Sequence, residues 1–131
     1  MEGYEKYIEG WQRRVNTRKI AETQAAEKAY QHAMKCAKLL VENFGAQSVY
    51  LFGSLVDGRF HLRSDIDLAV EGLEPRLYFK ALSKVYNVSG GFEVDLVPLE
   101  DCTFRETVLQ EGKLLYAKQG KSEVHKTQSS P

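Results

Sequence analysis

Three aspartates and a Gly-Ser pair carry the chemistry of this sequence. They lie in order: Gly53-Ser54, then Asp65-Ile66-Asp67, then Asp95 within Glu93-Val94-Asp95-Leu96-Val97. Glycine has no Cβ, so the backbone at Gly53 lets a ligand approach closely. A helical turn opening at Ser54 would aim free N–H groups at an anion, with the Ser54 hydroxyl as a further donor. On a strand, residues i and i+2 share a face. Asp65 and Asp67 would then project together, about 6.5–7 Å apart at the backbone. That spacing suits carboxylates converging on two cations about 3.5–4 Å apart. Asp95 sits between two apolar residues and would be costly to bury without a partner. An anion cradle beside three carboxylates is the equipment of phosphoryl or nucleotidyl transfer. Magnesium takes oxygen ligands and lets substrate phosphates complete its shell.

The elements that position these residues follow from the patterning. Ser48–Phe52 is a short β-rich apolar run stopped by Gly53, hence a buried strand. Asp65–Glu71 alternates and reads as a second strand. Phe92–Leu99 is a third, with Pro98 marking an edge or a strand end. Lys113–Ala117 is a fourth. Arg76–Val85 and Phe104–Gln110 read as helices, and Asn87–Gly91 as a turn. Upstream, Tyr4, Tyr7, Ile8, Trp11 and Val15 form a helical stripe, and Asn16-Thr17 reads as a break and cap. A second helix runs from Arg18 to Phe44 with an apolar seam of Ala26, Tyr30, Ala33, Ala37, Leu40 and Phe44, ended by Gly45. The fold class is therefore α/β: a small mixed sheet flanked by helices, with an extended N-terminal helical segment. The expected organisation is a helical segment over 1–45, a core over 46–117 and a mobile polar tail over 118–131.

Composition narrows the functional classes. The 131 residues carry 18 Lys+Arg and 18 Asp+Glu, a formal net charge of zero, so direct nucleic-acid binding is not expected. Residues 46–100 hold five Lys/Arg against eight Asp/Glu, a local acidity that a bound cation would explain. No run is long enough to span a membrane and no secretory signal opens the chain, so a cytoplasmic location is expected. Cys36 and Cys102 are read as buried or half-buried thiols of a reducing compartment, and His32, His61 and His125 show no zinc spacing.

The order Gly53-Ser54, Asp65-x-Asp67, Asp95 resembles the signature of DNA polymerase beta-type nucleotidyltransferases. The string SDIDLAV (64–70) and the small size resemble its minimal members, which include MntA-type antitoxins paired with HEPN-domain toxins. The resemblance covers residues 46–117, is specific over 48–70, and leaves out the N-terminal stripe. It implies that Gly53, Ser54 and Ser64 hold the triphosphate of ATP. It implies that Asp65, Asp67 and Asp95 are catalytic and ligate two Mg²⁺ ions. Many members carry Arg after Gly-Ser, where this chain has Leu55; Arg59 or Arg63 would supply that charge. The resemblance further implies transfer of AMP to a tyrosine of a HEPN toxin, as the antitoxin of a type VII-like pair. The alternatives are an antibiotic-type small-molecule nucleotidyltransferase and a non-catalytic antitoxin acting by contact. The aromatic N-terminal stripe suits a hetero-oligomer interface, or else packs back on the sheet.

Overall fold

The computed structural model of the chain describes residues 2–58, 60 and 64–118, with side chains from Ile8 onward. The expectations placed on Arg59, His61, Arg63, the side chains of Tyr4 and Tyr7, and the tail from residue 119 on, His125 included, lie outside the described residues. No helix among the described residues is long and apolar enough to cross a membrane.

One helix, α1 (Glu2–Phe44), replaces the two expected. The break foreseen at Asn16-Thr17 is absent for a local reason. Thr17 does not cap a new helix; its hydroxyl donates to the Arg13 carbonyl one turn back at 2.8 Å. A threonine satisfied in this way is compatible with a helix interior. The helix ends where expected. Gly45 adopts φ +77°, and its N–H donates to the Val41 carbonyl, the αL form of C-terminal cap.

Four strands follow: β1 (Ser48–Phe52), β2 (Ile66–Glu71), β3 (Val94–Pro98) and β4 (Lys113–Ala117). The sheet order is β3-β2-β1-β4. β1 runs antiparallel to β2 and β4, while β2 and β3 are parallel, so the sheet is mixed. A parallel pair needs a crossover. Here the 3-10 turn Pro75–Leu77 and helix α3 (Tyr78–Val88) supply it. Two short helices, α2 (Ser54–Asp57) and α4 (Arg105–Glu111), complete the domain. Pro98 ends β3, which is also an edge strand, so both readings of that proline hold.

The main core lies on one sheet face. Val49, Leu51, Ile66, Leu68, Val70 and Leu96 pack against Ala81 and Val85 of α3 and Ala29, Ala33, Cys36, Ala37 and Leu40 of α1. The alanines let α1 lie close to the sheet. The opposite face carries a smaller cluster of Ala69, Leu99 and Val108, which seats α4. Burial along α1 begins near its middle: Ile8, Val15 and Ile20 are exposed, and Trp11 is 54% exposed. The two halves of α1 therefore differ in what they contribute to folding. Removal of residues 2–20 is expected to shift the thermal midpoint by no more than about 3 °C. Leu40→Ala is expected to cost about 2–5 kcal/mol. Thermal melts followed by circular dichroism check both.

Candidate active site

Gly53 turns the chain from β1 into α2 with φ +80° and ψ −152°. That combination is essentially restricted to glycine. There is a second reason for glycine. A Cβ on residue 53 would overlap Asp67 Oδ2 and stand 3.1 Å from Asp67 Cγ. The backbone of one strand end thus lies against the carboxylate of the neighbouring strand. The N–H groups of Val56 and Asp57 both donate to the Gly53 carbonyl at 3.1 Å. The Ser54 and Leu55 amides are left at the open end of that first turn, and Ser54 is half-buried beside them.

Asp67 and Asp95 are register partners across the parallel β2–β3 pair. Register partners project from the same sheet face. Phe52 is the partner of Asp67 on its other side, across β1. Asp65 precedes the first residue of β2, where the Ile66 N–H donates to the Glu93 carbonyl. The strand expected to start at Asp65 therefore starts one residue later. Ser64 is half-buried next to it, and Asp65 is exposed.

The electrostatics show how close these groups come. The Asp67 carboxyl is pushed up from 3.8 to about 6, first by burial and then by the charges of Asp95 and Asp65. Asp95 itself is exposed. The expectation that its burial demands a partner is corrected by the edge position of β3, which leaves the side chain open to water. What calls for a cation is instead the mutual repulsion of three carboxylates around the half-buried Asp67. The donor set is all oxygen, which matches Mg²⁺. Among the described residues no three side chains stand converged as a finished metal cage. Asp65 and Asp95, being exposed, have room to turn inward on a cation.

Sequence reasoning missed Tyr78. Its hydroxyl donates to the Leu96 carbonyl, one residue beyond Asp95. This bond fastens the edge strand that carries Asp95, and the Tyr78 hydroxyl pKa is raised by burial and by the Asp95 charge. Nothing in the local pattern marks a tyrosine at a helix start as the clamp of a distant strand.

Two predictions follow from the contact between Gly53 and Asp67. Gly53→Ala is expected to cost about 1–3 kcal/mol through strain at this backbone conformation and to push the carboxylate away from β1. Chemical denaturation and nucleotide affinity check the two effects. The second concerns pH. A raised pKa means the folded chain holds the Asp67 proton more tightly than the unfolded chain does. That advantage is present below about pH 4 and is lost as pH rises through about 6. Asp67→Asn is therefore expected to melt about 2–4 °C above the unsubstituted, metal-free protein at pH 7.5. Below pH 4 the two melts should coincide.

Comparison with known proteins agrees with this geometry. Residues 34–121 match the family model for polymerase beta nucleotidyltransferases. A chain from the crystal structure of a toxin–antitoxin with AMP-PNP is 28% identical with a TM-score of 0.54, over 70% of this chain and 78% of that one. A mutant form of the toxin–antitoxin MntA–HpeT is 31% identical with a TM-score of 0.54, over 69% and 77%. A tri-AMPylated Shewanella oneidensis HEPN toxin in complex with MNT antitoxin provides a chain 30% identical with a TM-score of 0.50, over 72% and 76%. No curated protein matches at a significant level. With a Gly-Ser turn abutting paired aspartates inside a matched domain that fills most of its length, the chain belongs to the polymerase beta nucleotidyltransferase family.

Proposed function

We propose that this chain transfers AMP from ATP to a tyrosine hydroxyl of a HEPN-family toxin and so acts as that toxin's antitoxin. The observation that carries the transfer reaction is the in-register pair Asp67–Asp95 with Gly53 packed against it. The acceptor rests on the likeness to toxin–antitoxin complexes, one of which contains an AMPylated HEPN toxin. On this reading Asp65, Asp67 and Asp95 would hold two Mg²⁺ ions. When bound, the ions supply positive charge to the phosphates and lower the cost of deprotonating the attacking hydroxyl.

The chain's own residues do the rest. The turn at Gly53 and the Ser54 hydroxyl receive the β- and γ-phosphates, and Ser64 borders the same site. Arg59 and Arg63 are assigned the charge that many relatives place directly after Gly-Ser. Asp95, open to water at the sheet edge, meets the incoming hydroxyl and takes its proton. The hydroxyl oxygen attacks the α-phosphorus, the bond from that phosphorus to the bridging oxygen breaks, and pyrophosphate leaves. Tyr78, through the Leu96 carbonyl, keeps the Asp95 strand in place. A nucleotide on a tyrosine that faces RNA adds bulk and negative charge where the toxin must bind phosphates.

On this reading the partner brings the acceptor tyrosine to this site. The free half of α1 suits that task. Ile8, Trp11 and Val15 lie on one exposed face of it, and large apolar side chains with aromatics are typical of interface centres. A hetero-oligomer through the N-terminal helix is the form proposed.

The test is incubation with α-labelled ATP, Mg²⁺ and a HEPN-family toxin that forms a complex with this chain. Label is expected on the partner, and the Asp65→Ala/Asp67→Ala variant is expected to transfer it about a thousandfold more slowly. Absence of label with a tight complex intact would replace the transferase reading by inhibition through contact.

A further inference from the structure

Helix α1 projects past the end of the sheet that carries Gly53 and the aspartates. It joins β1 through residues 45–47 alone, so it runs back over the sheet antiparallel to β1. Ser48, at the start of β1, pairs with Glu71 at the far end of β2, whereas Phe52 pairs with Asp67. From Phe44 towards its N-terminus, α1 therefore travels towards Gly53 and Asp67. At His32 it has arrived. A Cβ on Gly90 would overlap the His32 ring, and His32 Nδ1 lies 3.2 Å from the Val88 carbonyl oxygen, at the end of α3 that leads into β3. Among the described residues, Ala25 is the first of α1 to pack against the core. From Ala25 back to Ile8 the helix extends about 26 Å further. On that overhang Trp11, Val15 and Arg18 continue the face that Ala29, Ala33 and Leu40 turn to the sheet, and Arg13 lies on the opposite side.

The side chains on this overhanging face select what it holds. Trp11, Arg14, Val15 and Arg18 line one shallow hollow of about 340 Å³. Its floor is apolar and two guanidinium groups flank it. Residues 10–21 contain Arg13, Arg14, Arg18 and Lys19 and no acid. Among the described residues no carboxylate pairs with any of the three arginines. A chain of zero net charge thus gathers positive charge on the half of α1 that projects, while residues 46–100 keep an excess of acids. We propose that this half of α1 lies in an apolar groove rimmed by carboxylates on the toxin, and so holds the toxin over the aspartate end of the sheet. The proposal deepens the reading of α1 as the toxin's docking element and rests on it, but not on the transfer of AMP. A helix laid in a groove is anchored by large apolar side chains one turn apart, and an arginine beside them finds its best partner in a carboxylate. A lipid surface would need a wider apolar face. Here Arg18 and Glu22 follow Val15 on the same face, and Ile20 lies on the other side. A nucleic-acid backbone would pair with the arginines but leave Ile8 and Val15 uncovered.

The experiment is calorimetric titration of the full chain with a HEPN-family toxin that forms a complex with it, at about 0.05 M and about 0.5 M salt. Trp11→Ala is expected to weaken binding about thirtyfold, the range for a central aromatic anchor. Arg18→Glu is expected to weaken it about tenfold at low salt, with a smaller difference at high salt. Arg18→Lys, which keeps the charge, should lose less. Arg13→Glu makes the same change in net charge on the opposite side of the helix and should bind as the unsubstituted chain does. Circular dichroism confirms that each variant keeps its helix. Unchanged affinity in Trp11→Ala and Arg18→Glu would overturn the proposal. So would equal weakening by Arg13→Glu and Arg18→Glu, which would mean attraction by net charge alone. Binding of an oligouridylate that Arg18→Glu abolishes would assign the arginines to RNA. A dimer of the chain alone that Trp11→Ala dissolves would assign the face to a second copy. Either result overturns the proposal. A complex that responds to the substitutions as expected, yet receives no label from α-labelled ATP, overturns the transferase reading alone and supports this one.

Discussion

The carboxylate of Asp67 occupies the space that a side chain on residue 53 would fill, and much of the architecture serves to keep it there. A half-buried acid with two more acids nearby is an unfavourable arrangement for an isolated chain. The sheet imposes it. Asp67 is fixed by β1 on one side and β3 on the other, so it cannot leave without breaking two ladders. The parallel pairing of β2 with β3 sets Asp95 level with it. That pairing in turn requires a crossover, and α3 both makes the crossover and buries Ala81 and Val85 against the main face. Among the described residues the site face is thinly covered, by α4, the 3-10 turn Leu99–Asp101 and a small apolar cluster. A dense core on one side thus holds a strained, charged and accessible surface on the other. Stability kept at a distance from the site is the usual way a protein tolerates an arrangement that is locally unfavourable.

What was legible in the sequence was what is local. The four strands and the helices between them show in alternation and in punctuation by glycine. Gly53, Ser54, Asp65 and Asp67 lie within fifteen residues, and their order alone suggested both the chemistry and the family. Apart from the local one at Thr17, the failures have one cause, the information held in tertiary position. Asp95 looks buried between Val94 and Leu96, yet the strand it belongs to is an edge, which Pro98 signalled only as one of two readings. Thr17 looks like a cap because threonine often is one. It remains in the helix because its hydroxyl turns back on the Arg13 carbonyl. The Tyr78 clamp and the Phe52–Phe104 ring contact join residues 18 and 52 positions apart, and such pairs appear only once the chain has folded. The requirement for glycine at residue 53 was visible as a need for close approach, but the group that approaches, the Asp67 carboxylate, was not.

The long N-terminal helix poses a different physical question. At about 100° per residue, Ile8, Trp11 and Val15 fall on the same face as Ala29, Ala33, Cys36 and Leu40. The same face therefore passes from the core into solvent, with Arg18 and Glu22 between its two apolar parts, and its side chains change character on the way. Against the sheet they are mostly small, which draws the helix close. Beyond it they are large. A solvent-exposed helix of this length has little stability of its own, since nucleation is costly and short helices are marginal in water. Continuity with the packed half removes the nucleation cost, because the first turns only extend a helix already formed. The domain thus acts as a template that presents an ordered apolar face outside itself. The family match begins at residue 34, so this presented half lies outside the part shared with other nucleotidyltransferases. A feature added to a shared catalytic core, ordered by that core and contributing nothing to its burial, has its physical rationale in what it touches. In the proposed arrangement the choice of partner would lie on α1 and the reaction on the sheet.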